Sequence, residues 1–271
     1  MDVIYRIFSI IIAFMIFIIA LVVWLWYRNP QDLITWWNRR IKSECDSQDI
    51  NPLNGIPSYH DAWECSNKTA TELHRLIQLN HNDILSEVLE AMNSDENISL
   101  DGISHKWFKN EDKWNPIWVR FMGDWASTAD KLPTLKRIVS LFPDIPVLHV
   151  SIFYPGVTLV ENKAPSRAVH RYHYGLKIPH GDVGLKIAGY DVRWKEHEGF
   201  IWDDTLTHSA WNHTSEPRIV IFADIFRELS PINSIGSKAI YSILQRTGFV
   251  TDIKKKFKPQ TQTQQELIVP R

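Results

Sequence analysis

The chain has 271 residues, 30 Lys and Arg against 31 Asp and Glu, and a formal net charge of −1 with its 11 His neutral. That length holds one domain of about 200 residues plus accessory segments, and the balanced charge offers no basic field, so no nucleic-acid partner is expected. Only two cysteines are present, Cys45 and Cys65, without CxxC spacing or a second pair, which excludes a cysteine-built zinc site.

Residues Ile7 to Tyr27 are 21 consecutive uncharged residues between Arg6 and Arg28. At ~1.5 Å per residue a helix of that length reaches ~30 Å, the hydrocarbon thickness of a bilayer. Trp24, Trp26 and Tyr27 gather at one end, where amphipathic rings settle among headgroups. A cleaved leader has a shorter apolar core followed by small residues, so residues 1–28 are expected to be a retained single-pass anchor. Arg28, Arg39, Arg40 and Lys42 follow it against Arg6 before it, which points to a cytoplasmic domain on a bacterial inner membrane. The sequons Asn67-Lys-Thr, Asn97-Ile-Ser and Asn212-His-Thr point the other way, to the lumen of an endomembrane compartment. Topology is open between the two, as is pairing of Cys45 with Cys65.

Residues 29–70 read as a short juxtamembrane helix, from Ile34 to Lys42 with the Trp36-Trp37 pair, and a linker containing Pro52, Gly55, Pro57 and both cysteines. The main domain is expected over 71–253. It opens with one helix from Thr71, as cap, to Met92, with Leu73, Leu76, Ile77, Ile84, Leu85 and Val88 at helical spacing. A polar stretch and a Trp-rich region, 107–125, lead to a helix from Thr134 to Phe142 that Pro143 stops. The 12 Trp read as core and membrane-interface residues, or as aromatic walls of a substrate groove. From Val147 the texture changes to short β-branched and aromatic runs: Val147–Phe153, Ala168–Ile178, Gly184–Ala188, Phe200–Asp203 and Arg218–Ile225. Such runs predict a mainly-β sandwich or jelly roll with flanking helices. Leu229 to Thr247 reads as a closing helix, and the Lys- and Gln-rich tail, 254–271, as disordered.

In a strand, residues two apart share a face, so Arg171 and His173 point the same way, and a buried Arg is costly without an anion. His208 follows the acidic turn Trp202-Asp203-Asp204, and Arg218 opens the last strand ten residues later. With Ser151, these groups suit a pocket that holds a small dicarboxylate beside a metal ion.

Tyr154-Pro-Gly156, Arg171-Tyr-His-Tyr-Gly-Leu176, Gly199-Phe-Ile-Trp-Asp-Asp204, His208 and Arg218 carry a resemblance to the aspartyl/asparaginyl β-hydroxylase family, over about Trp107 to Glu228. The resemblance implies a double-stranded β-helix, Fe(II) and 2-oxoglutarate as cofactors, and hydroxylation of a protein Asp/Asn side chain or a lipid acyl chain. Ser151 and Arg218 would hold the distal carboxylate of 2-oxoglutarate, Arg171 and His173 would meet its end near the metal, and His208 would be the distal iron ligand. The family's first iron ligand is a His eleven residues before the position of His173; here that place is Asn162. Ala164 stands where other members carry Asp or Gly. Glu161 and His170 are substitutes only if the strand parity is broken. The implied metal set is therefore His208 with Asn162, and a dicarboxylate-binding pseudoenzyme is the alternative to a working oxygenase.

Overall fold

The computed structural model describes residues 2–28, 30–41, 60–61, 67–93, 108–109, 113–245 and 250–251. Strand alternation sets the architecture. In β5 (Val147–Phe153), β7 (Val169–Lys177) and β12 (Arg218–Phe226) one parity is apolar: Val150 and Ile152, Tyr172 and Tyr174, Ile219 and Ile221. That face is buried under α3 (Lys68–Leu79), α4 (His81–Met92) and α5 (Pro133–Ser140), whose Leu73, Ile77, Ile84, Val88, Leu135 and Ile138 complete the main core. The other parity faces inward, toward a second sheet.

Among the described residues the large sheet has the order β1 (His60–Asp61), β10 (Gly199–Trp202), β7, β12, β5, β3 (Trp114–Phe121), β4 (Asp124–Trp125). The small sheet runs β2 (Phe108–Lys109), β6 (Val157–Asn162), β11 (His208–Asn212), β8 (Val183–Ile187), β9 (Tyr190–Val192). From β5 to β12 the chain passes back and forth between the sheets, so that β10-β7-β12-β5 faces β6-β11-β8-β9. This is a jelly-roll arrangement, as the spacing of the strands predicts. Val157, Leu185, Trp194, Phe200 and Trp202 fill the space between the sheets at the end away from the cavity described below or along its wall.

The helix predicted from Thr71 to Met92 is two helices. Asn80 closes α3 and precedes α4, and its Nδ2 donates to the Leu76 carbonyl at 2.8 Å, satisfying a group the break exposes. The cap is Asn67, whose Oδ1 accepts from the Ala70 amide at 2.9 Å; Thr71 lies inside the first turn. Asn67 is buried, and its Nδ2 donates to the Phe226 carbonyl at 3.0 Å. Asn212 is fully buried, with Nδ2 donating to the carbonyls of Phe153 at 2.7 Å and Glu216 at 2.8 Å. Two of the three sequon nitrogens are thus committed inside the fold. Asn97, Cys45, Cys65, most of the linker and the 254–271 tail lie outside the described residues.

At the N-terminus, α1 (Asp2–Arg28) is a helix of 27 residues, and its described apolar side chains are exposed. The described side chains form an unbroken run only from Ile7 to Leu21, and counted over them no helix is long and apolar enough to cross a membrane. α2 (Pro30–Asn38) packs on α6 (Pro231–Leu244): Trp37 Nε1 donates to Ser237 Oγ at 3.2 Å, and the indole lies over Gly236. A Cβ at position 236 would run into the Trp37 ring. Gly236→Ala is therefore expected to release α2, seen as faster tryptic cleavage at Arg39 and Arg40, while the melting of the β-domain stays within about 1 kcal/mol of the parent. Unchanged cleavage would show that α2 is not held by this contact.

Candidate active site

Between the two sheets lies a cavity of about 340 Å³, and Ser151, Asn162, Arg171, His173, His208 and Arg218 all line it. The structure thus brings these six together, gives two of them unexpected surroundings, and leaves Glu161 and His170 out of the cavity lining.

Arg218 comes from the first position of β12, opposite Phe153 of β5. It is buried, with its guanidinium 3.7 Å from the centre of the Phe153 ring and 4.7 Å from that of Trp194. Nη2 donates to Ser151 Oγ at 3.4 Å, and Ser151 also accepts from Trp114 Nε1 at 3.1 Å. Nε has no hydrogen-bond partner among the described residues, and burial drives the group down to about 9. It stays protonated at neutral pH, a buried cation with no carboxylate paired to it among the described residues.

Arg171 differs. Its Nη2 is 2.7 Å from Asp204 Oδ2 and 3.1 Å from Asp224 Oδ1, Nε donates to Asp224 Oδ1 at 3.2 Å, and Tyr241 donates to Asp224 Oδ2 at 3.1 Å. Arg171, which the resemblance implies meets the cosubstrate, thus shares its charge with two carboxylates, one of them directly across the β7–β12 ladder. Asp204 is fully buried, and among the described residues its carboxylate oxygens accept no hydrogen bond apart from that ion contact. Burial raises it to about 7 despite Arg171.

The two histidines have defined tautomers. Trp194 Nε1 donates to His173 Nδ1 at 3.1 Å, and an indole N–H only donates, so His173 carries its proton on Nε2. His173 is held well below the usual range by burial, then by Arg171 and Arg218, and is a neutral N–H donor suited to an anion's oxygen. His208 Nδ1 donates to the Leu206 carbonyl at 2.9 Å, which leaves the Nε2 lone pair for a metal. Burial pushes His208 to about 4. Asn162 sits opposite His208 in the β6–β11 pair, and its Nδ2 donates to the Val160 carbonyl at 2.9 Å and to that of His208 at 3.4 Å. Only Oδ1 is left to act as a donor atom.

His149, Asp204, Asp224 and Trp194 also line the cavity and were not among the residues picked from sequence. His149 was readable: it lies two before Ser151 on the same strand face. It is buried between Trp118 and Phe222, with ring centres 4.4 and 4.3 Å away, and Nδ1 has no hydrogen-bond partner among the described residues. Burial, then Arg171 and Arg218, lower it to about 3.

These buried neutral imidazoles set a pH dependence. Above pH ~6.5 neither the folded nor the unfolded chain protonates them; as pH falls below that, the unfolded chain takes up protons that the fold refuses, and stability is lost by about 1.4 kcal/mol per pH unit and group. Asp204, raised to about 7, acts oppositely and offsets one histidine between pH ~7 and ~4. His149→Phe is expected to remove one proton from this linkage, flattening the acid limb by about 1.4 kcal/mol per pH unit in urea unfolding between pH ~6.5 and ~4.5. An unaltered slope would mean that His149 protonates freely in the fold.

The family model of the aspartyl/asparaginyl beta-hydroxylases matches residues 78–228, more than half of the chain. The chain belongs to that family. Among its relatives is an ornithine lipid ester-linked acyl 2-hydroxylase of Rhizobium tropici, 29% identical over 122 residues that cover 44% of this chain and 43% of the relative. Another is aspartate beta-hydroxylase domain-containing protein 2 of Xenopus tropicalis, 30% identical over 80 residues, covering 28% and 21%. The chain spans less than half the length of the curated relatives it matches. A prolyl hydroxylase from Trichoplax adhaerens, solved with a hypoxia inducible factor peptide, aligns over 66% of this chain and 97% of its own, with 13% identity and a TM-score of 0.39.

The residues present fit the two groups that this β-hydroxylase family implies to different degrees. The unpaired cation of Arg218, the Ser151 hydroxyl and the His173 N–H fit a 2-oxo dicarboxylate. For Fe(II) the donors are one imidazole, His208, and one neutral amide, Asn162, short of the usual two His and a carboxylate. Among the described residues no group of three His, Cys, Asp or Glu is placed to hold a metal.

Proposed function

We propose that the chain is a membrane-anchored hydroxylase that binds 2-oxoglutarate between its sheets and oxidises a C–H of a lipid acyl chain or of a protein Asp/Asn side chain. The observation that carries this reading is Arg218, a buried cation whose one hydrogen-bond partner among the described residues is a serine, because such a group is costly unless an anion completes it. In this reading Ser151 and Arg218 hold one carboxylate, His173 donates to the oxygens at the other end, and the Trp194, Phe153 and Phe222 rings exclude water. Fe(II) would rest on His208 and Asn162; when bound it supplies the use of O₂ to convert 2-oxoglutarate to succinate and CO₂ while C–H becomes C–OH. Arg171 has a positioning role, tying the Asp204 loop and Tyr241 of α6 to the cavity wall.

Asn162 favours a second reading, a pseudoenzyme that binds the dicarboxylate without turnover. Titration with 2-oxoglutarate, followed by succinate release in the presence of Fe(II) and O₂, separates the two: binding with turnover supports the hydroxylase, binding without turnover or metal uptake supports the adaptor, and absence of binding removes both.

The anchor reading rests on the 27-residue helix α1 and its exposed apolar surface. The burial of Asn67 and Asn212 weakens the case for a lumenal domain, so Arg28, Arg39, Arg40 and Lys42 support a cytoplasmic one.

A further inference from the structure

We infer that the face formed by α2 and the first turns of α6 lies on the bilayer surface, and that the cavity is entered from that side. The inference rests on the anchor reading above. Only Asn29 separates α1 from α2, and the nine residues of α2 span about 14 Å. At its far end α2 is tied to the cavity rim: Asn38 Nδ2 donates to the Pro165 carbonyl at 2.8 Å, and Asn38 Oδ1 accepts from the Arg167 amide at 2.9 Å. Pro165 and its neighbours line the cavity, as do Tyr241 and Leu244 of α6, the helix on which Trp37 is seated. The two elements that hold the juxtamembrane helix are therefore elements of the cavity wall.

The outer surface of this junction has the chemistry of a headgroup contact. Ile232 and Ile235 of α6 are 81% and 72% exposed and Trp36 of α2 is 48% exposed; Arg39 and Arg40, which follow α2, are exposed too, with the Arg40 guanidinium 4.7 Å from the centre of the Trp36 ring. Aromatic and branched apolar side chains mixed with Arg bind interfaces bearing anionic lipid. A rim within about 14 Å of the end of the anchor leaves no room for a folded domain, which for 100 residues has a radius of gyration of about 13 Å and so is about 34 Å across, whereas a single extended chain from the bilayer needs no such gap. Of the two substrate classes proposed above, this geometry selects the lipid.

The test uses the full chain reconstituted in vesicles of phosphatidylcholine and phosphatidylglycerol, with a photo-crosslinking benzoyl-phenylalanine placed singly at Ile235, at Ile232, or at the exposed Lys195 as reference. Lipid adducts are read by mass spectrometry after an alkaline carbonate wash. The expected result is retention through the wash and at least about tenfold more lipid adduct at 235 and 232 than at 195. Retention with equal adducts at all three sites, or protein–protein adducts at 235 and 232, overturns the docking surface and leaves the anchor standing. Release by the wash overturns both.

Discussion

Replacing Arg218 by Ala is expected to weaken 2-oxoglutarate binding by at least about 100-fold, measured by calorimetry. Truncating one partner of a desolvated charge pair costs about 2–5 kcal/mol, and the other arginine of the cavity, Arg171, is already neutralised by Asp204 and Asp224, while Lys163 lines the cavity as an exposed, solvated side chain. A companion variant separates ligand binding from folding. Arg218 is lowered to about 9 by burial, so its penalty is present in full below pH ~9 and eases progressively above it, where the fold releases the proton and the unfolded chain still holds it. At neutral pH Arg218→Met should therefore be more stable than the parent without ligand, by about 1–3 kcal/mol. 2-Oxoglutarate should close or reverse that gap, adding about 2.7 kcal/mol to the parent at a hundredfold excess over its Kd and at most about 0.4 kcal/mol to the variant. If the ligand-free variant is instead the less stable, an internal partner completes Arg218 and the anion site is elsewhere.

Asn162→His should raise affinity for Mn(II) or Co(II) by at least about tenfold. An imidazole nitrogen is a far better donor to these ions than a neutral amide oxygen, and even supporting residues around a metal change affinity by about 10–100-fold. The position is right for it: residue 162 faces His208 across the β6–β11 ladder, and His208 presents its free Nε2. Cobalt absorption reports the added ligand without reference to activity. Succinate release by the variant but not the parent would identify a scaffold whose chemistry was lost at this one side chain, whereas release by both would show that the native site works with Asn162. Unchanged metal affinity would place the metal away from residue 162.

The alternation of apolar residues in β5, β7 and β12 was legible in the sequence, and with it the shared face of Arg171 and His173. Local pattern suffices there because side-chain parity in a strand needs no knowledge of its neighbours. What was not legible depends on pairing. Asp224 became the partner of Arg171 only when β12 aligned with β7, and Asp204 was quoted within a motif without its partner being visible. The strand β6 was missed because Val157–Asn162 is short and half exposed. The single helix expected from Thr71 to Met92 failed at Asn80, whose side chain competes for a helix carbonyl; the apolar spacing on either side hid the break.

The side-chain nitrogens of Asn67 and Asn212 each donate to carbonyls inside the β-domain, and each begins a sequence that an oligosaccharide-transferring compartment would modify on that same atom. A glycan at position 212 would have to be housed where the side chain is fully buried. For this chain, glycosylation at those sites and completion of the jelly roll are mutually exclusive. Modification at these sites would consequently register as a folding failure, visible as chain that is glycosylated, protease-sensitive and rapidly degraded.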